Sequence, residues 1–388
     1  MRFIIDKENL DYILKIMSCA IDRSIGDKSN DHCVLFQVCA KKLMIFSVNK
    51  SLEIIYTFFL SNVYEDGILS VSLKKLISII KVIPNNEFIE LKKINEELLI
   101  NVKYLKFKIC LSSEIFISNI HLENNNNSMF FMISSIQLQL IYKKIFFSIS
   151  ENDVRVYLNG VLFDIKGNIL YAVTSDGHRL SMYKLNLLDN SNFIKQIIIS
   201  GKNFSDVINI FQKYEIIKII ICGNFIKFIT KNIIVKTCLL IGKYPAYDTI
   251  ISNIIGDYLI CNKKDILNIF LRVSILEKRI DCVVKMSLVN KILSLSSYTN
   301  IKEFAEDKME NFFYNGKNIT IAFNAKYIID IFNAILSEFV LIIISDFKSA
   351  VFIEPCDYNL NHELMDTFKI ENLRNTNDNI YVLMPIKL

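Results

Sequence analysis

Ser175, Asp176, His178 and Arg179 put a hydroxyl, a carboxylate, an imidazole and a guanidinium within five residues. These are the side-chain types from which a nucleophile and its general base are assembled. The spacing argues against that chemistry, because triad members come from separated segments and neighbours in one tight turn rarely converge on one substrate atom. Asp176-Gly177 reads instead as a hairpin turn whose His178 and Arg179 shape a binding surface. A nucleic-acid hydrolase built around His178 is the enzyme alternative, and it predicts that His178→Ala abolishes turnover. A binding protein would lose only affinity for a partner. No segment sets His and carboxylates at metal-ligand spacing, and no GxxxxGK[ST] phosphate loop is present. Nine cysteines, at 19, 33, 39, 110, 222, 238, 261, 282 and 356, stand singly without the paired spacing of zinc or redox sites. The expectation is a protein with no catalytic residue, no metal and no cofactor, and with reduced, mostly buried thiols.

A second chemistry is spread along the whole chain. Lys15, Lys74, Lys81, Lys143, Lys202, Lys264 and Lys326 each stand two or nine residues after Asp6, Ser72, Ser134, Ser200, Asn262 or Asn324. Those six residues are helix N-cap types, because their side chains accept from the first free amides of a helix. They follow one another at intervals of 66, 62, 66, 62 and 62 residues. One and three residues before each cap lie apolar residues, such as Ile5 and Phe3 or Phe323 and Ile321, which mark a strand with one buried face. Four, seven and eight residues after it comes one apolar helix stripe, such as Leu10, Ile13 and Leu14 or Ile266, Ile269 and Phe270. At about 100° per residue the lysines point away from that stripe. A single lysine so placed is an ordinary solvated residue, but recurrence in six units predicts a row of ammonium groups turned toward a shared polyanion.

The elements that position these groups form an α+β protein. Between the caps lie strand patterns such as KLMIFSV, ELLINVKYLKFKICL and NGVLFDIKGNILYAVTS, with KGN, SDGH and CGN at the turns. Six strand-cap-helix units taken in pairs predict three similar domains, each with two helices packed on antiparallel sheets, over residues 1–126, 127–252 and 253–388. A chain of 388 residues requires more than one core. The polar HLENNNNS stretch at 121–128 and the segment after Tyr247 mark the junctions, and 356–379 reads as a long exposed loop. No apolar run approaches a membrane span, and Asp6 and Lys7 interrupt any secretory signal, so a cytoplasmic protein with no membrane partner is expected. The formal charge of +5 is too small by itself to argue for nucleic acid. A monomeric DNA-binding repeat protein is the alternative of the binding class, separated by a size measurement.

Four stretches in order, DVRVYLNGVLFD from Asp153, YAVTSDGHRLSMY, KYPAYD and the closing YVLMPIKL, resemble the beta subunit of bacterial DNA polymerase III, the replicative sliding clamp. The likeness extends over nearly the whole chain. It implies a head-to-tail homodimer whose three-domain protomers close a ring around double-stranded DNA without reading its sequence. By resemblance, Arg23, Lys74, Asn152, Val156 and Tyr157 match DNA-contacting positions, with Val156 in place of a family aromatic. A hydrophobic groove for short peptides matches Leu158, Ser175, Gly177, His178, Arg179, Leu180, Pro245, Thr249, Ile250, Asn324, Tyr327, Val382, Met384, Pro385, Ile386 and Leu388. Thr249 stands where the family has an arginine, and Ile386 where it has a methionine. Ring closure carries over to Phe107 and Ile109 on one edge and to Ile275 and Leu276 on the other. The implied partners are a clamp loader, which must supply nucleotide hydrolysis, the alpha subunit of the replicative DNA polymerase, and other replication and repair proteins.

Overall fold

The protein is described here by a computed structural model over residues 1–21, 32–112, 129–188, 193–214, 216–252, 254–276, 282–298, 303–356 and 378–387. Arg23, Leu388, the polar stretch at 121–128 and nearly all of the 356–379 loop lie outside the described residues. The architecture is α+β, with four antiparallel sheets of five, eight, nine and four strands.

Contacts divide the chain into two compact units. One comprises Met1–Leu138, Leu187–Ser191 and Lys202–Leu239, and holds the five- and eight-stranded sheets. Its larger sheet is assembled from two parts of the chain: the strand Ile233–Cys238 pairs with Leu52–Phe59, with Ile234 opposite Ile55. The other unit comprises Gln139–Asn186, Asn192–Gly201 and Leu240–Leu388. Its nine-stranded sheet is joined where Arg179–Asn186 pairs with Asn379–Leu383, with Met182 opposite Ile380. Backbone hydrogen bonding, rather than side-chain contact alone, therefore fastens distant parts of the chain together in both units.

The helices begin one residue after each of the six caps: α1 (Lys7–Met17), α2 (Leu73–Val82), α3 (Ser135–Ile145), α4 (Gly201–Ile210), α6 (Lys263–Val273) and α7 (Ala325–Ala334). Capping is direct at four of them. Asp6 accepts from the Asn9 amide, Ser134 from Gln137, and Asn262 and Asn324 each from two amides. Ser72 departs from the expectation, since its hydroxyl is buried and makes no capping bond. A further short helix, α5 (Tyr247–Ser252), occupies the segment read from sequence as a junction. Six residues are too few to show a helical period. What fixes it is the Tyr247 hydroxyl, which donates to buried Asp164 at 2.6 Å.

The apolar stripes point inward as their spacing predicts. Leu10, Ile13 and Leu14 are buried, as are Phe204, Val207 and Ile208, and Ile328, Ile331 and Phe332. Burying each such side chain stabilises the fold by about 1.5–3 kcal/mol. The hairpin chemistry also holds, with Gly167, Gly177 and Gly223 at positive φ in the KGN, SDGH and CGN turns. The long run ELLINVKYLKFKICL folds back at Lys103-Tyr104 into two strands, Glu97–Val102 and Leu105–Cys110. The thiols are less hidden than expected: Cys222, Cys261, Cys282 and Cys356 are buried, whereas Cys39, Cys110 and Cys238 are exposed. No helix among the described residues is long and apolar enough to cross a membrane.

Candidate nucleic-acid interface and partner groove

Lys15, Lys74, Lys81, Lys143, Lys202, Lys264 and Lys326 are all exposed. Each lies on its helix opposite the buried stripe. Lys15 pairs with Asp11 one turn earlier at 2.8 Å. Lys74, Lys81, Lys143, Lys264 and Lys326 have no ion-pair partner among the described residues, so their ammonium groups face solvent uncompensated. Exposed amines on flexible stems suit phosphate oxygens, which carry no sequence information.

The polar loop that precedes Tyr157 is rigid for internal reasons. Asn159 accepts from the Asp153 amide and donates back to the Asp153 carbonyl, both at 2.8 Å. The Asp153 carboxylate is gripped by the Arg155 guanidinium and by the Arg155 amide, which hold it down to about 2. Asn152 takes a positive φ of 59°, and Val156 is half exposed. Tyr157 is partly buried, its ring edge-on to Tyr244. The loop thus presents Asn152 and Val156 outward and uses Tyr157 mainly as an anchor.

In the Ser175–Arg179 turn the side chains of Ser175, Asp176 and Arg179 are engaged within the turn itself, and the His178 imidazole is not. The Ser175 hydroxyl donates to the Arg179 carbonyl at 2.8 Å and accepts from the Gly177 amide at 3.1 Å. Asp176 accepts from the amides of His178 and Arg179 and from the Arg179 Nε, each at 2.9 Å. Among the described residues no base addresses the serine, whose hydroxyl is engaged within the turn. Gly177 is required here: its φ is +91°, and a Cβ would come within 3.0 Å of the Arg155 guanidinium. His178 remains exposed.

Arg179 is a structural hub beneath that surface. Only 8% of it is exposed. Its Nη1 donates to Asp330 of α7 at 2.8 Å and its Nη2 to the Phe147 carbonyl. Its Cζ lies 4.2 Å from the Tyr327 ring centroid and 5.3 Å from that of Phe147. Five donors in a flat fork flanked by two rings fix the hairpin against α7. Nothing in the sequence pattern pointed to Asp330 or Phe147, whose roles depend on tertiary proximity. Asn159 and Arg155 were also missed, although Asn immediately before Gly160 is a local signal of a pinned loop.

Around this hub the other residues of the expected groove fall into three groups. Leu158, Leu180 and Val382 belong to one buried apolar cluster with Leu162, Val173, Met182 and Tyr244. The closing segment is tied at both ends: the Met384 amide donates to the His178 carbonyl at 2.9 Å, and the Ile386 amide to the Ala322 carbonyl at 2.8 Å. The Met384 side chain is left exposed, whereas Pro385 and Ile386 are half-buried. Pro245, Thr249 and Ile250 are exposed on or just before α5, whose Tyr247 reaches into the same cluster. Asn324 is buried as the α7 cap, so it sets the helix start rather than a surface.

Two sheet edges complete the candidate surfaces. Leu105–Cys110 is the last strand of the five-stranded sheet, with Phe107 and Ile109 half-buried and Lys106 and Lys108 exposed. Phe304–Met309 is the last strand of the four-stranded sheet and carries Glu306 and Asp307. Beside it, Ile275 and Leu276 project from the end of α6 with 70% and 36% of their surface exposed. Among the described residues each of these strands has one neighbour, and edge strands that carry apolar side chains call for a partner.

Comparison with known proteins agrees in every part of the chain. Residues 132–246 match the profile of the DNA polymerase III beta subunit central domain, and residues 256–368 that of its C-terminal domain. A beta sliding clamp of Pseudomonas aeruginosa is 25% identical over 392 aligned positions, covering all of both chains. One from Buchnera aphidicola subsp. Acyrthosiphon pisum is 29% identical over 361, covering 91% of this chain and 96% of the relative. The crystal structure of the DNA polymerase III subunit beta from Pseudomonas aeruginosa superposes with a TM-score of 0.88 at 25% identity, over the full length of both chains. With two successive domain profiles matched in order and the whole fold shared, the chain belongs to the DNA polymerase III beta subunit family, the beta sliding clamps.

Proposed function

We propose that the chain works as a DNA sliding clamp built from three similar domains, 1–126, 127–252 and 253–388, and that two copies pair head to tail into a ring around duplex DNA. The observation that carries this reading is the recurrence of exposed lysines opposite the buried stripe of all six long helices. Such amines attract phosphates through counterion release and leave base edges unread, so every register along the duplex has nearly the same energy. Persistence then comes from topology rather than from tight binding. The protein is a holder and carries out no turnover, which fits the self-satisfied turn at Ser175–Arg179.

Ring closure is supported by the two free sheet edges. One exposes Lys106 and Lys108, the latter paired with Glu97, the other exposes Glu306 and carries half-buried Asp307 held by Arg272, and pairing the five-stranded sheet of one copy with the four-stranded sheet of the next gives nine strands. The chain's own joined sheets have eight and nine. Phe107 and Ile109 would meet Ile275 and Leu276 of the second copy, which removes apolar surface from water and ends edge exposure together.

Short peptides of the replicative polymerase alpha subunit, the clamp loader and other replication and repair proteins would bind the surface around His178, Met384, Pro385 and Ile250. A Met and Pro surface adapts to several peptides, and the fixed His178 carbonyl and hairpin tip give it orientation. A protein that works on chromosomal DNA is placed in the cytoplasm. The test is retention after loading: on closed circular DNA the protein should stay bound through a moderate-salt wash, and linearising that DNA should release it.

A further inference from the structure

A helix of six residues such as α5 cannot hold its place by its own hydrogen bonds. Two ties from its first turn run to the strand Gly160–Lys166. Tyr247, itself buried, donates its hydroxyl to Asp164 Oδ2 at 2.6 Å. The Lys166 ammonium lies 3.1 Å from that same oxygen and 3.2 Å from Asp248 Oδ2, so it bridges strand and helix. It also stands 5.1 Å from the Tyr171 ring centroid and 5.7 Å from that of Tyr247. Both ties meet at Asp164, which is fully buried and whose Oδ1 has no hydrogen-bond partner among the described residues. A buried carboxylate with one oxygen unmet is costly, and here the cost is offset only through the two groups that it fixes. Ile251 also packs against the apolar cluster, but such contact is not directional, whereas a short hydrogen bond is. Thr249 and Ile250, which face solvent, follow directly on the tied residues.

We propose that Asp164 is a positioning residue of the peptide groove, setting the place of Ile250 through Tyr247 and of the α5 rim through Lys166. The inference rests on the groove reading above. It gives the groove two separable controls: the buried Tyr247–Asp164 bond, which salt does not reach, and the exposed Lys166–Asp248 pair, which salt screens.

The test is a double-mutant cycle on the full-length protein, read by fluorescence titration with a short polymerase C-terminal peptide at a temperature where circular dichroism shows every variant folded. Tyr247→Phe should weaken peptide binding by roughly fivefold, the worth of one hydrogen bond. In an Ile250→Ala background the same change should cost nothing further, because the side chain being positioned is gone. Asp164→Asn, which keeps an acceptor for the Tyr247 hydroxyl, should regain most of the affinity lost in Asp164→Ala. Tyr314→Phe removes a hydroxyl that donates to the Lys317 carbonyl elsewhere, and it should bind peptide like the wild type. Unchanged affinity in Tyr247→Phe, or a loss that persists undiminished in the Ile250→Ala background, overturns the positioning role and leaves the groove standing. A wild type that does not bind the peptide overturns the groove reading and this inference with it.

Discussion

At Arg179 one side chain joins a surface hairpin to the helix behind it. Its guanidinium is buried between two rings and bonded to Asp176, Asp330 and the Phe147 carbonyl. Arg179→Ala should destabilise the protein by about 3–5 kcal/mol, because it leaves partly buried carboxylates unpaired. Urea unfolding checks the figure, and Arg179→Lys should rescue little, since an ammonium cannot satisfy the same fork. His178→Ala and Met384→Ala belong to the opposite class. Both side chains are exposed and hold nothing together, so their melting curves should match the wild type. Affinity for a short polymerase C-terminal peptide should fall with Met384→Ala by roughly tenfold, the effect of losing about 1.4 kcal/mol at an apolar anchor. A fluorescence titration reads it. Asp153 supplies a pH prediction. Its value is depressed by Arg155, so its contribution is full above the ordinary carboxylate value near 3.8 and is lost as pH falls through about 2. The Asn152–Tyr157 loop should therefore keep its amide chemical shifts at pH 5 and lose them only in strong acid.

Among the elements, helices were the most legible in the sequence. Cap, stripe and lysine recur at nearly constant spacing, and all six long helices start where the caps place them. The exception at Ser72 is instructive: the residue type is right, but its hydroxyl is buried in the strand end and the cap bond is not made. Strand pairing was less legible. Alternation shows that Leu52–Phe59 and Ile233–Cys238 are half-buried strands, yet nothing local states that they pair, with Ile55 opposite Ile234. The same limit applied to the site. The turn at Ser175–Arg179 was readable from Asp-Gly, while its attachment to Asp330 was not, because that contact is made by the fold. Edge strands give the element-scale prediction. Phe107→Asp should block pairing of Leu105–Cys110 with a second copy, so that light scattering finds a species near 45.0 kDa in place of one near twice that mass. Its helical and strand content should be unchanged, because Phe107 lies on an end strand outside the main core.

For the whole molecule, weak contacts and strong topology must act together. The lysine faces alone predict ordinary nonspecific DNA binding that fades as salt rises, with a slope set by the number of phosphates neutralised. A closed ring predicts something different in kind: once loaded, the protein persists at salt concentrations where its intrinsic affinity is negligible, because leaving requires opening an interface or reaching a DNA end. The lysines then tune friction rather than residence. The most direct measurement follows single labelled rings loaded by a clamp loader onto circular plasmid, before and after one restriction cut, at a salt concentration that abolishes binding to linear fragments. The account predicts residence of many minutes on the intact circle and loss within seconds of cutting. Equal residence on circular and linear DNA would contradict it.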